Sequence, residues 1–312
     1  MQTFNFDVSR NPRHAARLAT EFFLRQIVTI AQGFEGDFLP GLVFIGVSAA
    51  NNRRITRSPE LVRLYPALTD VPAEDHCAPV SVAALARSLG MPFETTRRYV
   101  IRLIETGLCV RTNEGLLITR AALASDKVVD MIARNNADLR IFLAALRRDS
   151  YISGSNLAVA QSLDEIVTRN PRQATRLTIE YFLRGVKANA EYFEGDFLFA
   201  LVLLGILSAN NRRIIRSPEI AAAYPAITDV PAASHRAPIS VTALARSLGL
   251  SYETARRKVH RLIDKGMCAR TDDGLVLTDQ ALSGERFMEL IRVGNANLRK
   301  LITALQRDGL IE

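Results

Sequence analysis

Apolar and polar positions alternate most legibly in two stretches, Pro79–Thr119 and Pro238–Thr278. In the second, Val241, Leu244, Ala245 and Leu248 fall at helical spacing behind Ser240, a residue suited to cap a helix. Gly249 follows, where a chain leaving a helix takes the left-handed conformation that glycine tolerates best. Ser251 then caps a second helix, predicted over Tyr252–Lys265, with Ala255, Val259, Leu262 and Ile263 turned inward. Its outer and flanking faces carry Tyr252, Glu253, Arg256, Arg257, His260 and Arg261. Gly266 ends that helix, and Met267–Thr271 and Leu275–Thr278 read as two strands about Asp272-Asp273-Gly274, a hairpin signal. The first stretch runs the same way through Ser81, Leu85, Leu89 and Gly90 to a helix over Phe93–Thr106. Thr96, Val100, Leu103 and Ile104 lie inward there, and Phe93, Glu94, Arg97, Arg98 and Arg102 outward. Pro92 stands where the second copy has Ser251, so this helix lacks a hydroxyl cap and is expected to begin slightly differently.

The likeness extends well beyond these stretches. From Arg10 the chain repeats itself at a constant offset of 159, without a gap, through Asp149 and Asp308, and more than half the aligned positions are identical. The chain is therefore a duplication, dividing into 10–149 and 169–308 joined by 150–168, and the two halves share a fold. Met1–Ser9 shows no clear pattern. In the joining segment, Ser153-Gly154-Ser155-Asn156 reads as flexible and Leu157–Val167 as apolar enough to pack.

Each repeat opens on an Asn-Pro cap (Asn11-Pro12, Asn170-Pro171) and a helix expected to reach Gln32 or Glu191. Phe34-Glu35-Gly36-Asp37 and Phe193-Glu194-Gly195-Asp196 follow. Their paired carboxylates invite a metal or effector reading, but a simpler one has glycine breaking the chain and aspartate capping the next, very apolar helix. That helix is expected to end at Asn51-Asn52-Arg53-Arg54 and Asn210-Asn211-Arg212-Arg213, with arginines that complement its negative end or reach a phosphate backbone. Ser58-Pro59 and Ser217-Pro218 cap short helices to Tyr65 and Tyr224. After each hairpin a long amphipathic helix is predicted, over Ala121–Arg148 and Gln280–Arg307. Its apolar stripe is Ile132, Leu139, Phe142, Leu143 and Leu146 in the first copy, and Ile291, Leu298, Leu301, Ile302 and Leu305 in the second.

The run SxxxLAxxLGxxxxTxRRxVxxLxxxG(L/M), present in both copies, resembles the winged-helix transcriptional regulators of bacteria, notably the MarR-like and GntR-like groups. The recognition-helix Thr and Arg of that motif match Thr95, Arg97 and Arg98, then Thr254, Arg256 and Arg257. The resemblance implies a mainly α fold with small β-hairpin wings, in which two winged-helix repeats form an intramolecular pseudo-twofold dimer. The helices flanking each winged helix would join the repeats. The implied partner is double-stranded DNA, read as an imperfect inverted repeat by two recognition helices about one helical turn apart. The expected contacts are Phe93, Glu94, Thr95, Arg97, Arg98, Arg102 and Arg111 in the first repeat. In the second they are Ser251, Tyr252, Glu253, Thr254, Arg256, Arg257, Lys258, His260, Arg261 and Arg270. Guanidinium groups can grip guanine or phosphate, and Arg111 and Arg270 at the wing bases suit phosphate. Asn113-Glu114 and Asp272-Asp273 place acids at the wing tips, which argues against insertion into the minor groove. Two other classes compete: a plasmid-type replication initiator, whose halves are usually more diverged, and a protein-interaction scaffold without DNA.

Composition adds support without deciding the matter. A net charge of +8 and a pI near 9.7 suit a polyanionic partner. Cys77, Cys109 and Cys268 show neither disulfide nor metal-ligand spacing, so no cofactor is expected and the compartment reads as reducing, hence cytoplasmic and nucleoid-associated. The most apolar segments, Phe38–Ala50 and Phe197–Ala209, are too short to span a bilayer, and no membrane partner is expected. His14, His76, His235 and His260 form no nucleophile or metal constellation, so no enzymatic activity is predicted. Nothing identifies a small-molecule effector, and further homodimerisation stays open.

Overall fold

The computed structural model describes residues 5–153 and 170–311; the expectations for Gly154–Asn156 and Leu157–Val167 fall outside them. The chain is mainly helical, with small antiparallel sheets. In the first half, α1 (Pro12–Gly33) and α2 (Phe38–Asn51) lead through the short α3 (Arg53–Arg57) and α4 (Pro59–Leu64) to α5 (Val82–Leu89) and α6 (Phe93–Glu105). The hairpin of β2 (Cys109–Arg111) and β3 (Leu116–Ile118) follows, then α7 (Arg120–Ala124) and α8 (Asp126–Arg148). The second half repeats this order as α9 (Pro171–Tyr192), α10 (Phe197–Arg216), α11 (Pro218–Ala222), α12 (Val241–Leu248) and α13 (Tyr252–Asp264), then β5 (Cys268–Thr271), β6 (Gly274–Leu277), α14 (Asp279–Ser283) and α15 (Glu285–Arg307).

Local chemistry accounts for most of these boundaries. The hydroxyls of Ser81 and Ser240 cap α5 and α12, and Gly90 and Gly249 take the left-handed conformation at φ 62° and 61° that turns the chain into the next helix. Pro92 supplies no cap, yet α6 begins at Phe93, the counterpart of Tyr252 in α13, so packing of Thr96, Val100 and Leu103 sets the start. The hairpins carry one more partner than expected. Val80 and Ile239 form isolated bridges to Leu116 and Leu275, laying a third segment beside each hairpin. A Cβ at Gly115 or Gly274 would stand 2.9 or 2.8 Å from that segment's backbone, and both glycines have positive φ.

Several expectations need correction. The second apolar helix does not end at the Asn pair: α10 runs through Asn210, Asn211, Arg212 and Arg213 to Arg216. In the first repeat the helix is interrupted only at Asn52, whose amide donates to the Ser48 carbonyl (2.9 Å). α10 is 20 residues long and its most apolar window has mean hydropathy 1.4, so it is long and apolar enough to cross a membrane, contrary to the expectation from Phe197–Ala209; 67% of that window is buried inside the fold. The long amphipathic helices are each broken near their start, at Ser125 and Gly284, which are extended. Ser125 then recaps α8 through Val128 N–H. Finally, part of the lead is a strand: β1 (Asn5–Phe6) pairs antiparallel with β4 (Ile152–Ser153), so the start of the joining segment is a strand too.

Both hydrophobic cores draw residues from both halves. The second core is a layer of the four long helices α1, α8, α9 and α15, and holds the predicted residues Leu139, Phe142, Leu143 and Leu146 beside Leu298, Leu301, Ile302 and Leu305. Equivalent residues meet across the junction. Phe23 stacks on Phe182 with centroids 4.9 Å apart, and Phe38 meets Phe197 at 5.9 Å, each pair separated by the repeat offset. Reciprocal polar contacts flank them. Arg13 donates to the Leu282 carbonyl (2.7 Å) and to that of Asp229, while Arg172 donates to those of Leu123 (2.8 Å) and Leu68 (2.9 Å). The turn glycines join in: a Cβ on Gly90 would meet Ala190 of α9, and one on Gly249 would meet Ala31 of α1, both at 2.9 Å. Each half thus seats its α5–α6 or α12–α13 turn on the other half's first helix.

Candidate nucleic-acid interface

The outer faces of α6 and α13 are open to solvent. Phe93, Glu94, Arg97, Arg98 and Arg102 are exposed, as are Ser251, Tyr252, Glu253, Arg257, His260 and Arg261; Thr95, Thr254, Arg256 and Lys258 are half-buried. Phe93 and Tyr252 stand out, at 49% and 53% exposed, because large apolar rings rarely remain uncovered on both copies of a face. Inward, Val100, Leu103, Val259 and Leu262 are fully buried, so the amphipathic register of both helices is firmly set.

Existing ion pairs sort the expected contacts into two groups. Arg97 is held by Glu94 (2.9 Å) and Arg256 by Glu253 (2.8 Å), each one turn along its own helix. The two glutamates are therefore occupied with neighbouring arginines rather than capping the helix N-terminus or offering free acceptors. Arg256 also lies 3.4 Å from His260. Arg102 reaches back to Asp37 (3.2 Å), and Lys258 and Arg261 both donate to Asp196, Lys258 at 2.6 Å. Lys258 is drawn back toward its own domain rather than offered outward. By contrast Arg98, Arg111, Arg257 and Arg270 are exposed and form no ion pair among the described residues. Arg98 lies over the ring of Tyr99, 5.1 Å from its centroid.

The Phe-Glu-Gly-Asp motifs are tied to this face. Asp37 accepts from Leu39 N–H and Asp196 from Phe199 N–H, which makes both aspartates caps of the following helix. Their other contacts clamp α6 and α13. Burial pushes the Asp196 carboxyl up, but hydrogen bonds from Lys258 and the Phe199 amide outweigh it, and the carboxyl sits below its ordinary range. Retention of this aspartate in both copies was the visible sign of that dual role; its second half needed the fold.

Compared with known proteins, the chain matches no family model, no curated protein and no solved structure. The functional reading therefore rests on the motif carried by both repeats and on the geometry of the two helices that bear it.

The Asn-Asn-Arg-Arg motifs are largely structural. Asn51 is buried, donates to the carbonyls of Ala78 (2.9 Å) and Leu116 (3.0 Å), and accepts from Ile118 N–H (2.9 Å). Asn210 repeats this with Ala237, Leu275 and Leu277. Each pins its hairpin to the apolar helix behind it, so the hairpin strands bearing Arg111 and Arg270 are fixed relative to that helix. Arg54 and Arg213 donate to the carbonyls of Asp75 and Ser234. Glu114, Asn113, Asp272 and Asp273 are exposed at the hairpin tips. Cys109 and Cys268 are buried, and burial pushes their thiols up to about 11, which suits packing rather than redox chemistry. His76 and His235 bond Tyr65 (2.7 Å) and Tyr224 (3.0 Å), each bracing its loop, and His14 bonds Asp149 (2.7 Å). No group of His, Cys, Asp and Glu suited to a metal ion occurs among the described residues.

Proposed function

We propose that the chain is a sequence-specific DNA-binding transcriptional regulator, in which two winged-helix repeats act as a built-in pseudo-twofold dimer reading an imperfect inverted repeat. The observation that carries this reading is the exposed face of α6 and α13, each with arginines left unpaired, on two halves whose equivalent residues meet. Arg98 and Arg257 are the first contacts to DNA, with Arg111 and Arg270 on flanking phosphates. Arg97 and Arg256 join only by exchanging a glutamate for the duplex. Phe93 and Tyr252 offer apolar contact, for instance to thymine methyls. The two faces differ at Phe93 against Tyr252 and Ile101 against His260, so the half-sites differ too. This reading places the protein in the cytoplasm, on the nucleoid, without catalytic activity.

The test is a mobility-shift titration against DNA enriched from a random pool. Arg98→Ala combined with Arg257→Ala abolishes specific binding. Wild-type affinity falls with salt at a slope of about −0.9 per neutralised phosphate. Unchanged binding by the double variant would show that the reading face lies elsewhere, and failure to enrich any sequence would favour a protein-interaction role.

A further inference from the structure

Between α1 of the first half and α9, α10 and α15 of the second lies a cavity of about 440 Å³. The equivalent space on the other side of the molecule measures only about 80 Å³. Divergence between the repeats explains the difference. Gly185, Leu203 and Gly294 line the large cavity where Gln26, Phe44 and Asn135 line the small one. Asn135 also donates to Thr175 (3.1 Å) and Thr178 (2.8 Å), whose counterparts in the large cavity are Ala16 and Ala19. One side has been filled with a bonded polar cluster. The other stays open.

The polar groups diverge in the same sense. On the filled side both terminal nitrogens of Arg176 donate to the Tyr65 carbonyl, at 3.0 and 3.1 Å. On the open side Arg17, its counterpart, is only 4% exposed, and neither terminal nitrogen has a hydrogen-bond partner among the described residues. Arg13 Nε and Asn189 Oδ1, also at the cavity, are buried without partners. Leaving a guanidinium buried and unsatisfied is costly, and an anion is the group that relieves it. Among the described residues no acidic side chain lines this cavity, whereas Lys300 and Arg184, the latter paired with Glu180 at 3.7 Å, lie on its wall. The remaining wall is apolar, with Phe23, Leu204, Leu207, Leu290 and Ile291. Its volume falls in the range of small-molecule sites.

We propose that the open cavity binds one small ligand per chain, an apolar body bearing a single carboxylate, with Arg17 as its counter-charge. Duplication made two such spaces, and divergence retained one. The proposal does not depend on DNA binding. It is tested by calorimetric titration of the full chain with octanoate and benzoate, using octanamide and benzamide as uncharged controls. At least one carboxylate saturates at one per chain, and its amide binds at least about tenfold more weakly. Arg17→Met weakens the carboxylate by about tenfold or more. Gly294 lines the cavity and a Cβ there meets nothing within 4 Å, so Gly294→Leu starts its side chain in open space and blocks binding. Circular dichroism melts confirm that both variants fold. Absence of saturation by either carboxylate up to about 10 mM overturns the proposal. So does an amide that binds as well as its acid, a stoichiometry of two, or binding unaffected by Gly294→Leu.

Discussion

Arg17 and Arg176 occupy equivalent positions but should respond oppositely to the same substitution. Both are buried, at 4% and 7% exposed, and burial pulls both pKa values down to about 10, leaving both charged at neutral pH. Each therefore bears a desolvation cost. Arg176 recovers part of it through two bonds to the Tyr65 carbonyl, whereas the terminal nitrogens of Arg17 recover none through hydrogen bonds among the described residues. Methionine keeps much of the packing of the arginine stem. Arg17→Met is expected to stabilise the free protein by about 1–3 kcal/mol, the usual cost of an unsatisfied buried polar group. Arg176→Met is expected to destabilise it by about 1.5–3 kcal/mol, the worth of charged hydrogen bonds, and leaves the Tyr65 carbonyl without that donor. Urea unfolding followed by circular dichroism at neutral pH measures both, and unchanged slopes would place the effects in stability rather than in compactness. In a thermal melt the variants should move in opposite directions by about 2–4 °C per kcal/mol. If Arg17→Met lost as much stability as Arg176→Met, the distinction between a satisfied and an unsatisfied guanidinium would be wrong.

Three further outcomes follow from the packing. Gly274→Ala should cost about 1–3 kcal/mol in thermal or urea unfolding, because φ is +138° and the new methyl would lie 2.8 Å from the Ile239 backbone. Phe23→Ala and Phe182→Ala should each cost about 3–5 kcal/mol, but the double variant should lose less than their sum, since the rings stack on each other at 4.9 Å. Because the folded pKa of Asp196 lies below its ordinary 3.8, its ion pairs stabilise the fold above that value and fade as pH falls through the lowered one. Asp196→Asn should therefore be less stable than wild type at neutral pH, with a deficit that closes in acid. A deficit unchanged down to complete protonation would assign the effect to the helix cap instead.

Local elements were legible because their causes are local. Ser240, Gly249 and the spacing of Leu244 and Leu248 specify α12 and its turn within a few residues of chain, and Ser251 does the same for α13. Exposure of the arginine face followed from the same periodicity. Where neighbours in space intervened, local rules failed. Asn210 looked like a helix terminus, yet its side chain is used to pin the hairpin and the helix continues past it. Lys258 reads in the sequence as a DNA contact, but Asp196, 62 residues away, holds it. The bridge from Val80 to Leu116 was missed because a one-residue pairing leaves no pattern in the chain.

Periodicity and identity along the chain suffice for the duplication, the helix-turn-helix-hairpin order in each copy and the amphipathic register that keeps the arginines outward. Long-range packing alone sets which arginines are held by distant aspartates, that Phe23 meets Phe182 across the junction, and that one of two equivalent cavities is filled while the other is open. Those outcomes depend on which side chains from distant segments share a space, and small changes such as Gln26 against Gly185 acquire meaning only when both walls of that space are known.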